Sequence, residues 1–527
     1  MIFLKKNIFI LFFSIYILVG CFYSIDTGIS HDEFHEQKNW EYNVALFKNF
    51  FLNIDLDQSL INYPDKFYGI GFQIISQPIQ LLFEDIIFNY KAINKHGSHL
   101  VAKHLVVFLS FAISGIFVYF ILINIINNKF FVGIVSILYL LYPYLLGHGL
   151  FNPKDIPFLL FWIVCTYFSI KLFTNLSNSY QISYNSIFVI SILTALLLSI
   201  RISGLLIFTQ YIFTFFLYIN LKKINLLHFI KINFKKILAF LIFLLLFTYS
   251  LNPVYWKNPL LIIEAVNSMS KHFNDVCTLT LGKCMFSKNL PPTYIPIWLS
   301  VKLPFIILIG LFLIPFTERK LFTNFKTNLF LGTLLFSSFF IPIILIITGV
   351  HLYDELRQIL FIFPIFFIIG AVSLHAFSKN FFYFLSLITL SIFLFENVKI
   401  YPYQYAWFNV PSRIMNLSKN FEVDYWGLSG KELAESISYN NDKEFSKACI
   451  LVSPSWSVKP YLNSDIFKCF GPWSAVDSDI TRPFWAVQNV RNLKKGKIFK
   501  CSVSYESKFN LLFTSNNFIT GRVLKCT

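Results

Sequence analysis

Asn7–Ile25 has the sequence NIFILFFSIYILVGCFYSI, an almost unbroken apolar stretch long enough to cross a lipid bilayer as a helix. The chain turns polar just beyond it, at His31-Asp32-Glu33-Phe34. The acidic pair therefore emerges at the membrane surface. Carboxylates held there can act on an acceptor while a lipid-linked substrate lies in the bilayer. The pattern favours an enzyme that works on a membrane-borne substrate over a simple channel.

The composition extends this pattern to the whole chain. Of the 527 residues, 56% are hydrophobic and 13% are charged, and the mean hydropathy is +0.62. A soluble domain cannot bury so much apolar surface, so the sequence predicts a polytopic membrane protein. Much of the net charge of +17 lies in short loops between apolar stretches, where it sets membrane orientation. We therefore predict no nucleic-acid partner.

Further apolar stretches predict an all-α membrane domain with about eleven transmembrane helices, within a range of about nine to thirteen because adjacent stretches can merge. After the first, they run over 100–123, 130–147, 156–173, 185–200, 203–220, 237–252, 301–316, 328–350, 358–377 and 381–398.

Basic residues predict the orientation of these helices. Lys5-Lys6 place the N-terminus in the cytoplasm, and the basic segment 222–236 falls on the same side when the spans alternate. The polar clusters then share the opposite face, where we expect a single active site. The first stretch could also be a signal peptide, but we predict a retained anchor because no small-residue cleavage site follows it. The prediction is a multi-pass plasma (inner) membrane protein.

Two segments interrupt the apolar pattern and define the predicted domains. Residues 1–398 form the membrane domain, with an extracytoplasmic first loop at 26–98. Within that loop, residues 70–83 are apolar but broken by Gln and Pro, which predicts an amphipathic helix along the membrane interface. Residues 399–527 are richer in Ser, Asn, Asp and Lys, and we expect them to form a small extracytoplasmic α/β domain.

Cysteine positions are consistent with this orientation. The cysteines in the predicted outer segments are Cys277 and Cys284 in one loop and Cys449, Cys469, Cys501 and Cys526 in the tail. Even numbers in each segment indicate disulfides in an oxidising compartment, and unrelated buried thiols are the alternative. Cys21 and Cys165 are predicted to be ordinary intramembrane residues.

Polar clusters recur in a fixed order along the chain. They are Asp32-Glu33, GHGLFNPKDIPF at 147–158, RISG at 201–204, NPVYWKNP at 252–259, PTY at 292–294 followed by Trp298 and Pro304, YDELRQ at 353–358, and DYWG at 424–427. This ordered set resembles the lipid-carrier-dependent glycosyltransferases of the C-type superfamily, specifically the family 39, protein-mannosyltransferase-like group. The resemblance covers nearly the whole chain and is more specific for the superfamily than for the substrate.

The resemblance implies that a sugar moves from a polyprenyl-phosphate donor to an acceptor with inversion at the anomeric carbon. Such a transfer needs a base for the acceptor hydroxyl and cations for the departing phosphate. Asp32 is the candidate base, Glu33 would orient it or the acceptor, and Asp155 is the second acidic site expected in this superfamily. The ordinary alternatives are a solvated acidic pair and, for Asp155, a helix N-cap. The implied acceptor is a protein, lipid A or another envelope glycan.

Lys154, Arg201, Tyr353 and Arg357 are the candidate substrate-binding residues. Arginine suits phosphate oxygens because its planar fork donates two parallel hydrogen bonds. The alternative for each arginine is a salt bridge to a nearby acid, and Lys154 could instead reach toward lipid headgroups.

No cofactor is predicted, although a divalent cation is left open as an alternative. His31, His35 and His148 suggest a metal site together with the acids, but their spacing lacks the compact helical signature of a zinc site, so we assign no metal ligand.

Two other functions compete with the glycosyltransferase interpretation. A transporter or flippase of lipid-linked sugars would also have many helices, but such proteins usually place their charges at mid-membrane and show paired halves. An O-antigen ligase or polymerase would share the donor chemistry but would more typically carry its polar bulk in a late loop. The early Asp32-Glu33 loop favours the family 39 resemblance.

Overall fold

The computed structural model describes residues 2–52, 62–176, 180–256, 258–270, 275–439, 449–453, 456–462, 470–472, 483–489, 501–514 and 517–527. Helices dominate this part of the chain. They are α1 (Ile2–Asp26), α2 (His31–Leu52), α3 (Gly71–Tyr90), α4 (Lys95–Ile125), α5 (Lys129–Leu141), α6 (Pro143–Gly149), α7 (Asp155–Thr174), α8 (Tyr184–Ile200), α9 (Ile207–Lys222), α10 (Leu226–Ser250), α11 (Leu261–Ser270), α12 (Tyr294–Lys302), α13 (Phe305–Phe312), α14 (Ile314–Leu321), α15 (Phe325–Thr348), α16 (Phe363–Phe377), α17 (Lys379–Lys399), α18 (Leu417–Asn420) and α19 (Gly430–Ser438).

The predicted spans all fall on helical segments of the structure. By length and composition, seven helices of the described residues can cross a membrane, or up to eight if the bent pair of α5 and α6 counts as one span. The shorter apolar helix α8 coincides with the predicted span at 185–200. The expected all-α membrane domain is therefore confirmed, with a span count that depends on how short and bent helices are treated.

Local sequence explains where several helices begin. Asn94 accepts a hydrogen bond from the backbone N–H of Gly97 at the start of α4, and Asn225 accepts one from His228 at the start of α10. These side chains satisfy N–H groups that have no partner within the helix. Pro143 is the first residue of α6, where its missing N–H costs nothing, and α6 is bent by 62° from α5.

Burial separates the centre of the helix bundle from its periphery. Most residues of α7 and α16 are buried. In α1 and α17, by contrast, Leu18, Phe384 and Val398 are largely exposed. A belt of exposed apolar side chains is unfavourable in water and is stabilised by the hydrocarbon of a bilayer. The chain is a multi-pass membrane protein.

The helix expected around residues 70–83 is present as the longer α3. Gln73, Ser76 and Gln80 are buried, while Ile74 and Leu82 are among its exposed residues. The Gln80 side chain donates a hydrogen bond to a backbone carbonyl of α4, at 3.0 Å. The polar face of α3 therefore packs on the protein, which leaves its apolar face to the surroundings, as the predicted interfacial location requires.

The described residues also form two small β-sheets, one between α11 and α12 and one in the tail. Strands β1 (Cys277–Thr280) and β2 (Lys283–Phe286) form an antiparallel hairpin. The described part of the tail carries five strands, β3 (Cys449–Ser453), β4 (Phe470–Pro472), β5 (Phe484–Asn489), β6 (Cys501–Phe509) and β7 (Phe518–Cys526). They form one sheet in the order β4-β3-β5-β7-β6, with parallel pairing among β4, β3 and β5 and antiparallel pairing among β5, β7 and β6. Helix α19 packs on this sheet. The predicted mixed α/β tail is confirmed.

Disulfides bear out the cysteine interpretation where the structure describes it. Cys277 pairs with Cys284, and Cys501 pairs with Cys526. Cys449 is also disulfide-bonded, whereas the predicted disulfide cysteine at position 469 lies outside the described residues. Cys21 and Cys165, predicted to be ordinary intramembrane residues, are free and lie in α1 and α7.

A buried ion pair joins the tail to the membrane helices. Glu396 of α17 accepts two hydrogen bonds from the guanidinium of Arg413, one of them at 2.9 Å from Nη2. The backbone N–H of Leu512 also donates to Glu396, at 3.0 Å. Residues 400–429 thus pack on the helix bundle before the sheet begins, and the domain division at 398/399 stays a prediction.

Candidate active site

The first turn of α2 separates the two acids of the predicted pair. The backbone N–H of Ser30 donates to Glu33 Oε1 at 2.7 Å, and His104 Nε2 lies 2.8 Å from Glu33 Oε2. Both Glu33 oxygens are thus engaged, and the side chain is fully buried. Glu33 thus fixes α2 onto α4 and makes none of the contacts of Asp32 with Arg357, and its predicted catalytic role stays a prediction. The spacing Ser30-x-x-Glu33, typical of a helix-capping box, was the overlooked signal.

Asp32 instead contacts Arg357. Arg357 Nη1 donates to Asp32 Oδ2 at 2.7 Å, and Arg357 Nη2 lies 3.5 Å from Asp354 Oδ2. The Arg357 side chain is 8% exposed and that of Asp32 is 31% exposed. Burial favours the neutral acid, but the positive charges of Arg357, Lys154 and His31 outweigh it and hold the pKa of Asp32 below its ordinary value. Asp32 is therefore an ionised carboxylate that solvent can still reach.

Aromatic rings surround the Arg357 guanidinium. Its central carbon lies 4.6 Å from the ring centroid of Trp426 and 5.0 Å from that of Tyr353. Asp424 fixes the loop that carries Trp426, because its Oδ1 accepts backbone N–H bonds from Trp426 and Gly427, both at 3.0 Å. Gly427 has φ +71°, a conformation that favours glycine. The DYWG cluster of the sequence thus places the Trp426 ring against the Arg357 guanidinium.

The turn before Arg357 has an unusual backbone. Asp354 and Glu355 have φ values of 55° and 65°, in the left-handed region that costs non-glycine residues free energy. Hydrogen bonds from neighbouring elements stabilise this turn: the Asp354 N–H donates to Thr278 Oγ1 at 2.9 Å, and the Tyr294 hydroxyl donates to the Glu355 carbonyl at 3.0 Å. Lys302 Nζ lies 2.9 Å from Glu355 Oε1. Burial, opposed by Lys302, raises the pKa of Glu355 to about 7.

A second arginine–carboxylate pair lies where α7 begins and α8 ends. Arg201 forms an ion pair with Asp155. Asn152 orients this carboxylate, since its Nδ2 donates to Asp155 Oδ2 at 2.9 Å while its Oδ1 accepts from the Asp155 backbone N–H at 3.0 Å. Asp155 is the first residue of α7 and not its N-cap, which was the ordinary alternative, and Asn152 orients its carboxylate. The sequence signal for Asn152 was its position three residues before Asp155, in Asn-Pro-Lys-Asp.

Lys154 links the two pairs electrostatically. Its ammonium forms an ion pair with Glu36 and lies 3.4 Å from the ring centroid of Tyr68. Burial lowers the pKa of Lys154, but the negative charge of Glu36 outweighs burial and raises it above the ordinary value. The charge of Asp32 also raises this pKa, and the charge of Arg201 lowers it. Glu36 was missed from the sequence, although its position four residues after Asp32 places it on the same face of α2.

A cavity of about 400 Å³ lies beside these pairs. Its polar lining includes Tyr63, Tyr68, Arg201, His351, Tyr353 and Gln358. Leu206 and Leu345 give part of the wall an apolar character. This volume falls in the range of about 300–1,000 Å³ that small-molecule sites occupy.

The structure thus brings most predicted site residues together. Asp32 pairs with Arg357, Asp155 pairs with Arg201, Lys154 interacts with both groups, and Arg201 and Tyr353 line the cavity. In the described part of the chain, no group of three His, Cys, Asp or Glu side chains could hold a metal ion, so we name no ligands for a divalent cation.

Fold and site together define the class: a polytopic helical membrane protein with an ion-paired cavity at the ends of its helices. No protein-family model and no curated protein matches the chain. Among solved structures, it is similar to ArnT from Cupriavidus metallidurans in the apo state, with a TM-score of 0.48 and 11% sequence identity over 98% of this chain and 97% of that chain. ArnT from the same organism bound to undecaprenyl phosphate gives the same TM-score and identity over 98% of each chain.

Proposed function

We propose that this protein is an inverting glycosyltransferase of the plasma (inner) membrane that moves a hexosyl or pentosyl group from a polyprenyl-phosphate carrier to an envelope acceptor. The observation that supports this most directly is the Asp32–Arg357 pair beside the cavity. It combines a carboxylate that solvent reaches with a cation whose fork matches phosphate oxygens. A base and a phosphate-binding cation are the two groups that such a transfer requires.

In the proposed mechanism, the carrier phosphate takes the place of Asp32 against Arg357. Asp32 then loses the strongest of the charges that lower its pKa and becomes a better base. It accepts the proton of the acceptor hydroxyl as the acceptor oxygen bonds to the anomeric carbon. The bond from that carbon to the phosphate oxygen breaks on the opposite face of the sugar, and Arg357 and Lys154 stabilise the departing polyprenyl phosphate.

The Asp155–Arg201 pair has a supporting role in this mechanism. Arg201 lines the cavity, and Asp155 and Asn152 hold it in place. A permanent cation at the end of a membrane helix is costly unless it is paired, so Asp155 keeps Arg201 available for the donor phosphate. Tyr353 completes the donor site between the cavity and Arg357.

Mass spectrometry of envelope lipids and proteins, with and without the gene, would identify the acceptor as a protein, lipid A or glycan. The purified protein in nanodiscs should then transfer the identified sugar from undecaprenyl phosphate to that acceptor. Movement of intact lipid-linked sugar across proteoliposomes, without a new glycoside, would instead support a flippase. Extension of a lipid-linked glycan chain would support an O-antigen ligase or polymerase.

The orientation belongs to the same proposal. Charge bias places the N-terminus and the basic segment 222–236 in the cytoplasm and the site with the tail outside. An impermeant thiol reagent should label a cysteine introduced at Thr514 in intact cells and leave one at Asn225 unlabelled. A cysteine near position 57, which lies outside the described residues, should behave like the one at Thr514. The reverse pattern would overturn the topology.

A further inference from the structure

Gln358 directly follows Arg357 in the chain, but the two side chains have different surroundings. Both residues lie in the short 3₁₀ segment Arg357–Ile362, where successive side chains point in different directions. Arg357 contacts Asp32, whereas Gln358 lines the cavity together with Tyr353 and Arg201. The polypeptide thus presents a phosphate-matching cation and a neutral amide side by side.

The polar atoms of the Gln358 side chain are buried and have no hydrogen-bonding partner among the described residues. This holds for both Oε1 and Nε2, and also for Nδ1 of His351 and Nε of Arg201, which line the same cavity. Buried polar groups in native proteins are nearly always paired, because desolvation without a hydrogen bond costs free energy. An amide with both ends unpaired at a cavity wall indicates a ligand that supplies the missing partners.

The chemistry of these atoms restricts the ligand. An amide both donates and accepts, and an imidazole nitrogen does either, so they match hydroxyl groups, which also do both. A lipid chain offers no hydrogen bonds, and a phosphate, which only accepts, is better matched by the arginines. The aromatic residues Tyr63, Tyr68 and Tyr353 line the same cavity. Hydroxyl groups around an apolar ring face are the features of a sugar.

We infer that Gln358 and His351 recognise hydroxyl groups of the donor sugar and so determine which sugar the protein accepts. This inference rests on the proposed function and deepens it, because it assigns the part of the cavity around Gln358 and His351 to the sugar and leaves the phosphate to the arginines. Removing the Gln358 amide should weaken recognition of the sugar and leave recognition of bare carrier phosphate unchanged.

Binding separates this inference from the proposed function. The probes are undecaprenyl phosphate and a panel of undecaprenyl-phosphate-linked hexoses and pentoses, added to the full-length protein in nanodiscs. The natural protein should bind at least one sugar-bearing lipid about tenfold or more tightly than the bare lipid, since a site built around a hydroxyl loses affinity when that hydroxyl is missing. In Gln358→Met this preference should disappear, and in His351→Leu it should fall.

Thermal stability provides the second readout. Gln358→Met removes an unpaired buried amide, so the unliganded variant should melt at the same or a higher temperature. Gln210 gives a matched control, because its amide is paired at both ends: Nε2 donates to Thr166 Oγ1 at 3.0 Å, and Oε1 accepts from Ser337 Oγ at 2.8 Å. Gln210→Met should lower the melting temperature and keep the sugar preference.

The outcomes are distinct. Retention of the sugar preference in Gln358→Met, or equal binding of bare and sugar-bearing lipids by the natural protein, overturns the inference even if transfer occurs. A preference that depends on Gln358, without any transfer of sugar by the natural protein, supports the inference and contradicts the proposed enzymatic function.

Discussion

Asp32–Arg357 and Glu396–Arg413 are both arginine–carboxylate pairs, but their surroundings differ. Arg413 donates to both oxygens of Glu396 and to the carbonyls of Phe408 and Leu512, and the two side chains are 1% and 0% exposed. In the described part of the chain, Nε of Arg357 has no hydrogen-bonding partner, and the side chain of Asp32, with which Arg357 pairs, is 31% exposed.

The contrast shows how one type of ion pair can serve two purposes. A pair whose hydrogen bonds are all made within the protein offers a ligand nothing and fixes the tail to α17. A pair with an unused donor and a solvent-accessible acid can exchange its partners for a substrate. The number of hydrogen bonds still available, rather than burial alone, distinguishes the candidate catalytic pair from the structural one.

We expect the largest effect, a loss of turnover, from Asp32→Asn. The amide keeps the shape of the carboxylate but cannot act as a base, so we expect turnover to fall by about 10²–10⁴-fold while the protein remains folded and binds the donor. Turnover, donor affinity and melting temperature of the purified variant would be measured. Asp85→Asn is the control, because Asp85 is exposed and forms an ion pair with Lys95, which is exposed as well. Near-normal transfer by Asp32→Asn would make Asp155 the leading candidate base.

Glu396→Gln should show the opposite pattern. Removing one charge leaves Arg413 buried and uncompensated, which typically costs about 3–5 kcal/mol of stability. We expect a large fall in melting temperature, with unchanged donor affinity in the fraction that folds. The double variant Glu396→Leu with Arg413→Met should recover part of the loss, because it removes both charges. A stable Glu396→Gln variant with weakened donor binding would show that the Glu396–Arg413 pair is not purely structural.

Arg357→Lys tests the fork geometry of the candidate site. Lysine retains the charge but cannot make two parallel hydrogen bonds, and one hydrogen bond to a charged group is worth about 1.5–3 kcal/mol. Donor affinity should therefore fall about tenfold or more, with little change in melting temperature. If Arg357 only pairs with Asp32 and Asp354, lysine will preserve donor affinity and Arg357→Ala will mainly lower stability.

The smallest expected effect concerns pH. Because the pKa of Asp32 is lower in the folded protein than the ordinary value of 3.8, its charge stabilises the fold above that value. This contribution should be lost as the pH falls below about 3.8 toward the folded-state pKa. Melting temperatures measured from neutral to acid pH should fall less steeply for Asp32→Asn than for the natural protein. Parallel curves would show that Asp32 is not stabilised by its ionic partners.

The sequence predicted some site residues better than others. Arg201 was recognisable from its position at the end of an apolar stretch, where an unpaired charge is costly, and Asp155 was expected from the superfamily resemblance. Glu36 and Asn152 were overlooked because each lies beside a more conspicuous residue. Gln358 carries no signal of its own, since an amide near the end of a helix is ordinary until both its ends are found buried and unpaired.

By itself, the sequence determined the membrane class, the positions of the helices and the mixed α/β character of the tail. These properties depend on local hydrophobic length, capping residues and composition, which are fixed by neighbouring residues. The sequence also placed the charged residues at the ends of spans, where a site could form.

Only the tertiary structure decided which charges meet. Asp32 and Glu33 are neighbours, yet successive residues of a helix project about 100° apart, so one contacts Arg357 and the other contacts His104. The partner of Asp32 lies 325 residues away in the chain, and that distance is closed by helix packing. Side-chain partners depend on the direction in which packed helices present their residues, and a linear pattern does not contain that direction.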